Sequence, residues 1–431
     1  MALHTVQVSV RGETVAHAVS EPVGLDTPQR MYSVSKTFTS LAIGLLAEDG
    51  VLSLDDRVVD HFPEMPPVHP WLAATTVRHV LAMRGPHRAS TYRLGADGWL
   101  ESWFRVPPTQ PPGTVFTYDT SGSYVLSALV ERLAGTSLPE YLRPRLLGPL
   151  GMSRGLRFLT GPEGISHGGS GLVCTARDLM RLAHLLLDDG VHDDARLLPA
   201  GYLRTATSRQ ADTSLQTEAA ALRNGYGYQL WLPRPGAWML FGMGGQIVYG
   251  DPARGLAVVV TADTQASAGA DPLVDDTFDL LVDPLAGLLD AGAGDADETT
   301  VGLTWPAPWH DPAHIRLVST TYVNVADGPG PAELSLVLDG SGGRLRTDGW
   351  DTELRYDRPV RTVVRGRPAV VTAGWTAADT LDVRCGLLGD DLTTRRIRLA
   401  WAADGTLAVR SQVFGEAAPG EWAFLAAYRR R

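Results

Sequence analysis

The feature that most restricts this chain is its only lysine, Lys36, which stands three residues after Ser33. The other 37 of its 38 lysine and arginine residues are arginine. An arginine guanidinium stays protonated, whereas burial or a neighbouring charge can remove the proton from a lysine ammonium. Side chains three positions apart on a helix lie on one face, within reach of each other. The pair therefore predicts a nucleophile beside a base, on a helix that begins at this point of the chain.

The residues around the pair predict that helix. Residues 28–31 have the character of a loop, and apolar residues then recur at helical spacing up to Gly50. A helix N-terminus favours developing negative charge through its dipole and its free N–H groups. The alternative is that Lys36 is a solvated residue of the first turn without a chemical role. The apolar positions are Val34, Phe38, Leu41, Ala42, Leu45 and Leu46.

Four segments together resemble one family of enzymes. The first, residues 31–57, contains the serine-x-x-lysine motif, and three others follow it in the order that this family shows. They are 116–127, 225–231 and 242–246, the last followed by Asp251-Pro252. The combination is similar to the serine β-lactamases and penicillin-binding proteins. It most resembles the class C β-lactamase branch, which includes esterases, amidases, D-amino peptidases and acyltransferases.

The resemblance implies an acyl-enzyme mechanism in which Ser33 attacks a carbonyl, Lys36 is the base and Tyr118 relays a proton. Holding lysine neutral near pH 7 requires its pKa to fall by about three units, or about 4 kcal/mol of environmental bias. The main-chain N–H groups of Ser33 and Met243 are implied to form the oxyanion hole. Residues beside these groups are expected to contact the substrate, namely Thr120, Phe241 and Gly242.

Two motifs depart from the family's pattern. The second motif often reads tyrosine-x-asparagine, but here it is Tyr118-Asp119-Thr120, with a hydroxyl in place of the amide. The third usually opens with lysine, histidine or tryptophan, and the matching residues are Leu240-Phe241-Gly242. Without a cation there to bind the carboxylate of a β-lactam or peptidyl-D-alanine, we expect an ester, neutral amide or thioester substrate.

Other readings of the residues stay open. Residues 164–168 match the G-x-S-x-G pattern around Ser166, but glycines on both sides predict a loop rather than a strand and a helix. The same acyl-enzyme on Ser33 could serve a biosynthetic acyltransferase, with an amine or alcohol replacing water. Because two motifs are altered, a catalytically silent binding protein with the same fold is a further alternative. The sequence does not identify the acyl group or its acceptor.

Residues 1–290 are predicted to form an α/β domain, the class C β-lactamase-like catalytic domain. Its single antiparallel sheet is expected to be flanked by helices and to carry a helical insertion. Alternating residues predict a hairpin of strands at 5–10 and 14–19 and further strands at 238–241, 246–249 and 256–262. Helical spacing predicts helices at 124–133, 176–187 and 273–289.

The chain changes character after residue 290. Residues 291–300 are small, polar and acidic, and we assign 291–303 as a linker. Residues 304–431 contain short strand-like segments of even spacing, which predict an all-β barrel or lipocalin-like accessory domain. Since no nucleophile–base pair is found there, this domain is expected to shape or cover the cleft. The segments are 333–338, 344–347, 353–356, 369–372, 380–384, 396–401 and 406–413.

Composition and charge argue against nucleic acid and membranes as partners. The formal net charge of −10, with no basic run before residues 429–431, argues against a nucleic-acid partner. No stretch approaches the ~20 apolar residues that cross a membrane, and the first residues alternate like a strand rather than a signal peptide. Cys174 and Cys385 are expected to be buried hydrophobes, and no metal-ligand spacing occurs. We expect a cytoplasmic enzyme for a small-molecule, acyl or peptide substrate, without cofactor or metal and of undetermined oligomeric state.

Overall fold

The computed structural model describes residues 2–65, 69–94, 98–215, 219–267, 272–292, 298–325, 329–347, 349–416 and 418–431. Within these residues the chain forms an α/β domain followed by a β-barrel. The strands of the first part are β1 Ala2–Val10, β2 Glu13–Ser20, β3 Gln29–Arg30, β4 Arg157–Phe158, β5 Leu172–Cys174, β6 Val191–His192, β7 Ala195–Arg196, β8 Trp238–Gly242, β9 Gln246–Asp251, β10 Leu256–Asp263 and β11 Thr299–Leu303.

The main sheet has the described strand order β11-β2-β1-β10-β9-β8. Its neighbours are antiparallel, as predicted, except that β11 lies parallel to β2. β10 is central and every residue in it is buried. Ala257 and Val259 point into one apolar core, whereas Leu256, Val258 and Val260 point into the other. A strand buried on both faces must be covered by helices on both sides of the sheet.

Helices supply those two covers. The described helices are α1 Ser35–Glu48, α2 Pro70–Ala73, α3 Val77–Leu81, α4 Trp99–Arg105, α5 Thr120–Ala134, α6 Leu138–Leu142, α7 Ala176–Leu187, α8 Ala200–Ala206, α9 Pro272–Thr277 and α10 Asp283–Asp290. One layer contains α1 and α7, and the other contains the helical segments that follow β10. The predicted helix 273–289 is divided into α9, a π-helical stretch Phe278–Val282 and α10.

The second part is an antiparallel barrel, in agreement with the predicted all-β accessory domain. Its ten described strands are β12 Val318–Asn324, β13 Glu333–Leu338, β14 Gly342–Thr347, β15 Trp350–Arg355, β16 Val360–Val364, β17 Arg367–Ala377, β18 Thr380–Leu387, β19 Thr393–Trp401, β20 Leu407–Phe414 and β21 Phe424–Arg430. They follow the order β15-β14-β13-β12-β21-β20-β19-β18-β17-β16, and the edge strands β15 and β16 lie against each other. The interior of the barrel is a separate apolar core.

The segment assigned as a linker, 291–303, has two described portions. Residues 293–297 lie outside the described residues, whereas Thr299–Leu303 forms β11 at the edge of the first sheet. The boundary between the domains stays a prediction. The pairing of β11 with β2 attaches the chain just before the barrel to the sheet of the first part. A small cluster of buried apolar residues also joins the two parts: Val23, Tyr32, Trp305, Val370, Leu388 and Leu392.

Candidate active site

The predicted nucleophile and base lie where the sheet meets α1. Ser33 occupies the turn before this helix, and Lys36 stands in its first turn. The Lys36 Nζ atom lies 2.9 Å from Ser33 Oγ. It also donates hydrogen bonds to the Thr120 hydroxyl, at 3.2 Å, and to the Gly169 carbonyl, at 2.7 Å. The structure therefore brings Thr120 and Gly169, which are distant in the sequence, to the pair of Ser33 and Lys36.

Burial determines the charge of Lys36. Its residue surface is only 1% exposed, and loss of water lowers the pKa of Lys36 from 10.5 to about 7. Two carboxylates oppose this change, first Asp119 and then Glu416. Near pH 7 a large fraction of the Lys36 amine is neutral and can accept a proton. This is the property that the sequence analysis required of the base.

Tyr118 lies beside both Ser33 and Lys36. The Lys36 Nζ atom lies 4.8 Å from the centre of the Tyr118 ring. Burial raises the pKa of Tyr118 well above its usual value, while a hydrogen bond with Ser33 opposes the rise. The ring stacks on Trp231 at 5.7 Å with an angle of 15° between the planes. Tyr118 is thus a protonated hydroxyl held next to Ser33 by aromatic packing.

The altered second motif has a structural explanation. Asp119 is the N-cap of α5, and its carboxylate accepts hydrogen bonds from the N–H groups of Ser121 and Gly122 at 2.8 and 3.1 Å. Burial raises the pKa of Asp119 to about 6, against the effect of those hydrogen bonds and of Lys36. The next residue, Thr120, turns its hydroxyl to Lys36. The aspartate thereby orders the helix start and adds negative charge that the sequence analysis did not assign to the site.

The glycine-rich loop around Ser166 contacts the pair through its main chain. Ser166 lies in an irregular segment, as predicted, and its N–H donates to Glu131 while its carbonyl accepts from Ser127. No helix begins at this serine. The contribution of the loop to the site is the Gly169 carbonyl beside Lys36. A main-chain acceptor of this kind has no signature in the sequence.

The end of β8 faces the Ser33 turn. A Cβ atom at Gly242 would lie 2.2 Å from the Met31 carbonyl oxygen and 3.2 Å from the Ser33 nitrogen, so only glycine fits there. Met243 follows it at the surface, and Phe241 is half-buried in the strand. Among the described residues, no main-chain oxygen accepts a hydrogen bond from the N–H of Ser33 or of Met243. Both N–H groups are consequently available to another acceptor.

Aromatic residues form two groups beside the pair. The first surrounds Tyr118, and the second includes His167, whose pKa burial lowers to about 3 with a further contribution from the charge of Lys36. The second group packs largely edge to face, whereas the first combines tilted, edge-to-face and stacked pairs. The first contains Phe116, Tyr118, Tyr226 and Trp231, and the second Tyr92, Trp99, Tyr124 and His167.

The barrel contributes carboxylates to this region. The sequence predicted that this domain shapes or covers the cleft, but not which of its residues lie beside Lys36 and Tyr32. Glu416, after β20, raises the pKa of Lys36 through its charge and pairs with Arg30 at 3.4 Å. Asp391, in the loop between β18 and β19, accepts a hydrogen bond from Tyr32, which directly precedes Ser33.

Among the described residues, no group of three metal-ligating side chains is present. Both cysteines are buried and free, and no described helix is long and apolar enough to span a bilayer.

Comparison with known proteins defines the class to which this fold and site belong. The Beta-lactamase family model matches residues 4–281, about two thirds of the chain. The chain therefore belongs to the Beta-lactamase family and is a serine hydrolase of that family, with a barrel added at its C-terminal end.

Individual relatives show how far the similarity extends. Penicillin-binding protein 4 of Amycolatopsis lactamdurans is 30% identical over 293 residues, which cover 59% of this chain and 76% of that protein. The 6-aminohexanoate-dimer hydrolase of Paenarthrobacter ureafaciens is 25% identical over 259 residues, 54% of this chain and 66% of the relative. The octameric penicillin-binding protein homologue of Pyrococcus abyssi has a similar fold, with a TM-score of 0.52, 17% identity, and coverage of 99% of this chain and 96% of that one.

Proposed function

We propose that this serine hydrolase cleaves an ester or amide of a small molecule through an acyl-enzyme on Ser33. The observation that carries the proposal is the 2.9 Å contact between Ser33 Oγ and Lys36 Nζ, together with a Lys36 pKa of about 7. A base works best when its pKa is close to the pH at which it operates. The protonated hydroxyl of Tyr118 beside Ser33 supplies the third group that acyl transfer needs.

The reaction has two halves. Neutral Lys36 takes the Ser33 proton as Oγ attacks the substrate carbonyl, and the N–H groups of Ser33 and Met243 stabilise the oxyanion. Tyr118 gives its proton to the leaving group and regains one from Lys36. Water then attacks the ester on Ser33, releasing the acid and restoring the serine hydroxyl.

The surroundings favour a neutral substrate with an apolar acyl group. β8 presents Leu240 and Phe241 where the resemblance would place a cation, so a substrate carboxylate gains no partner from that position. Tyr118, beside Ser33, stacks on Trp231 and so provides aromatic surface on that side of the site. The Paenarthrobacter relative is a 6-aminohexanoate-dimer hydrolase, and since an amine and a carboxylic acid condense to an amide, we include amides among the candidates.

A series of p-nitrophenyl esters of graded chain length, with a chromogenic cephalosporin beside it, tests this proposal. We expect turnover of the esters, an acyl adduct by intact-mass measurement, and poor cleavage of the cephalosporin. Ser33→Ala is the matched control and must lose both turnover and adduct. Ester turnover that survives in Ser33→Ala, or cephalosporin cleavage as efficient as ester cleavage, would count against the proposal.

Hydrolysis and acyl transfer share the same intermediate. Adding amines or alcohols of increasing size during ester turnover distinguishes them, because a transferase yields the new amide or ester at the expense of free acid. We propose that water is the main acceptor. Predominant formation of a transfer product at millimolar acceptor would assign the chain to acyl transfer.

A further inference from the structure

Tyr32, the residue before the proposed nucleophile, has a left-handed backbone with φ of 47°. A residue with a side chain avoids this region unless its surroundings hold it there. The Tyr32 carbonyl accepts hydrogen bonds from the N–H and the hydroxyl of Ser35, at 3.0 and 2.5 Å. The same peptide unit carries the N–H of Ser33. The conformation of Tyr32 therefore sets the direction of one proposed oxyanion-hole donor.

The side chain of Tyr32 is held by the barrel. Its hydroxyl donates to Asp391 Oδ1 at 3.0 Å and accepts from the N–H of Leu392 at 3.1 Å. Gln265, beyond the end of β10, donates to the same hydroxyl at 3.2 Å. Burial and the charge of Asp391 raise the pKa of Tyr32, so the hydroxyl stays a proton donor to the carboxylate.

Asp391 is itself fixed in its loop. Thr393 donates to Asp391 Oδ2 at 2.8 Å, and Arg367 donates to the main-chain oxygen of Asp391 at 2.5 Å. The neighbouring Gly389 carbonyl accepts from the N–H of Arg30 at 2.7 Å, in the strand that leads to Ser33. Main-chain and side-chain hydrogen bonds thus join this loop to the residues before the nucleophile.

We propose that Asp391 and Tyr32 are positioning residues, through which the barrel holds the left-handed turn that orients the N–H and Oγ of Ser33. The inference rests on the proposed acyl-enzyme on Ser33. It assigns the barrel a role in the rate of acylation, because a hydrogen bond to a buried carboxylate is among the stronger ones in proteins. Substrate affinity is not expected to depend on this contact.

The full-length chain provides a sharp test. Tyr32→Phe removes only the hydroxyl, and Asp391→Ala removes its partner. Asp390→Asn is the matched control, because Asp390 lies in the same loop and pairs across the same interface with Arg157, without contacting Tyr32. We expect Tyr32→Phe and Asp391→Ala each to lower kcat roughly tenfold with KM changed less than about twofold. Asp390→Asn should leave both constants close to wild type.

A double variant shows whether the two groups act as one. If they act through their shared hydrogen bond, Tyr32→Phe combined with Asp391→Ala should be no slower than Asp391→Ala alone. The inference is overturned if Tyr32→Phe keeps the wild-type kcat, if Asp390→Asn loses as much as Tyr32→Phe, or if the two losses multiply. Thermal unfolding checks each variant, and if Asp391→Ala fails to fold, Tyr32→Phe and Asp390→Asn decide. A wild-type protein that forms no adduct on Ser33 would instead refute the proposed function.

Discussion

A buried basic residue of the α/β domain and one of the barrel behave differently. Lys36 lies in the α/β domain and Arg395 in the barrel, and both are almost fully buried. Burial lowers the pKa of Lys36 to about 7 and that of Arg395 to about 10. Near neutral pH the lysine can therefore act as a base, while the arginine stays charged.

Their contacts agree with this difference. Lys36 contacts Ser33 and hydrogen-bond acceptors, whereas the Arg395 guanidinium packs on the rings of Trp350, Trp422 and Phe424 at 5.0, 5.3 and 5.8 Å. One hydrogen bond, from Nε to Ser411 at 2.8 Å, fixes its direction. Burial of a basic residue is thus common to both parts, but of these two residues only Lys36 has a proton that can be removed near neutral pH.

Lys36→Arg should lower activity the most, because it replaces the amine with a guanidinium that stays protonated, as that of Arg395 does in the barrel. A guanidinium cannot take the Ser33 proton, and we expect kcat/KM to fall by roughly 10²- to 10⁴-fold, the usual contribution of a general base. Ester turnover of the purified variant measures this, after circular dichroism has shown that it folds. Near-normal activity would mean that Lys36 supplies only charge.

Asp119→Asn should show how a neighbouring carboxylate affects the pKa of Lys36, because it removes a negative charge close to the amine. Asparagine keeps one acceptor oxygen for the N-cap of α5 but removes the carboxylate that raises the pKa of Lys36 most. The pKa of Lys36 then falls further, so the neutral base persists to lower pH. The acidic limb of the pH–rate profile, expected at about pH 7 in the wild type, should move to lower pH. An unmoved limb, or one moved upward, would show that Lys36 does not control it.

Glu416→Gln tests the same effect from the barrel. Glu416 is the second carboxylate that raises the pKa of Lys36, so its removal should shift the acidic limb in the same direction, but less than Asp119→Asn does. Measuring both variants in one buffer series allows direct comparison. A larger shift for Glu416→Gln would mean that the barrel, rather than the α/β domain, provides the main field at the base.

Arg395→Lys is the smallest expected change and the counterpart of Lys36→Arg. The ring contacts of the guanidinium are weakened, so the barrel should lose about 1 kcal/mol of unfolding free energy, the size of a cation–π contact. Ester turnover should stay within about twofold of wild type. A loss of activity as large as that of Lys36→Arg would place Arg395 in the catalytic machinery.

Local sequence patterns predicted much of the α/β domain. The predicted helix 176–187 coincides with α7, because a capping box of Thr175 and Asp178 marks its start and apolar spacing follows. In the barrel, β12 was not predicted, since only Tyr322 among its residues is buried and the alternation is weak. The parallel contact of β11 with β2 was also missed, because it depends on where the chain passes between the two parts.

In the site, too, contacts within one segment of chain could be predicted from the sequence, whereas contacts between distant segments could not. Ser33 and Lys36 share one turn of chain, and their contact follows from helix geometry. The carbonyl of Gly169 and the carboxylates of Asp391 and Glu416 come from segments distant in sequence, and only the tertiary fold brings them to Ser33 or its neighbours. Sequence reasoning therefore proposed Ser33, Lys36, Tyr118 and Thr120, but not the Gly169 carbonyl or the carboxylates that lie near them.

The most direct test of Ser33 as the nucleophile is to treat the full-length protein with an activated phosphonate and map the modified peptide. We expect one adduct by intact mass, located on Ser33, with inactivation proportional to labelling. Lys36→Arg should label far more slowly, because its serine lacks a base. An adduct on Ser166, or full inactivation without modification of Ser33, would contradict an acyl-enzyme on Ser33.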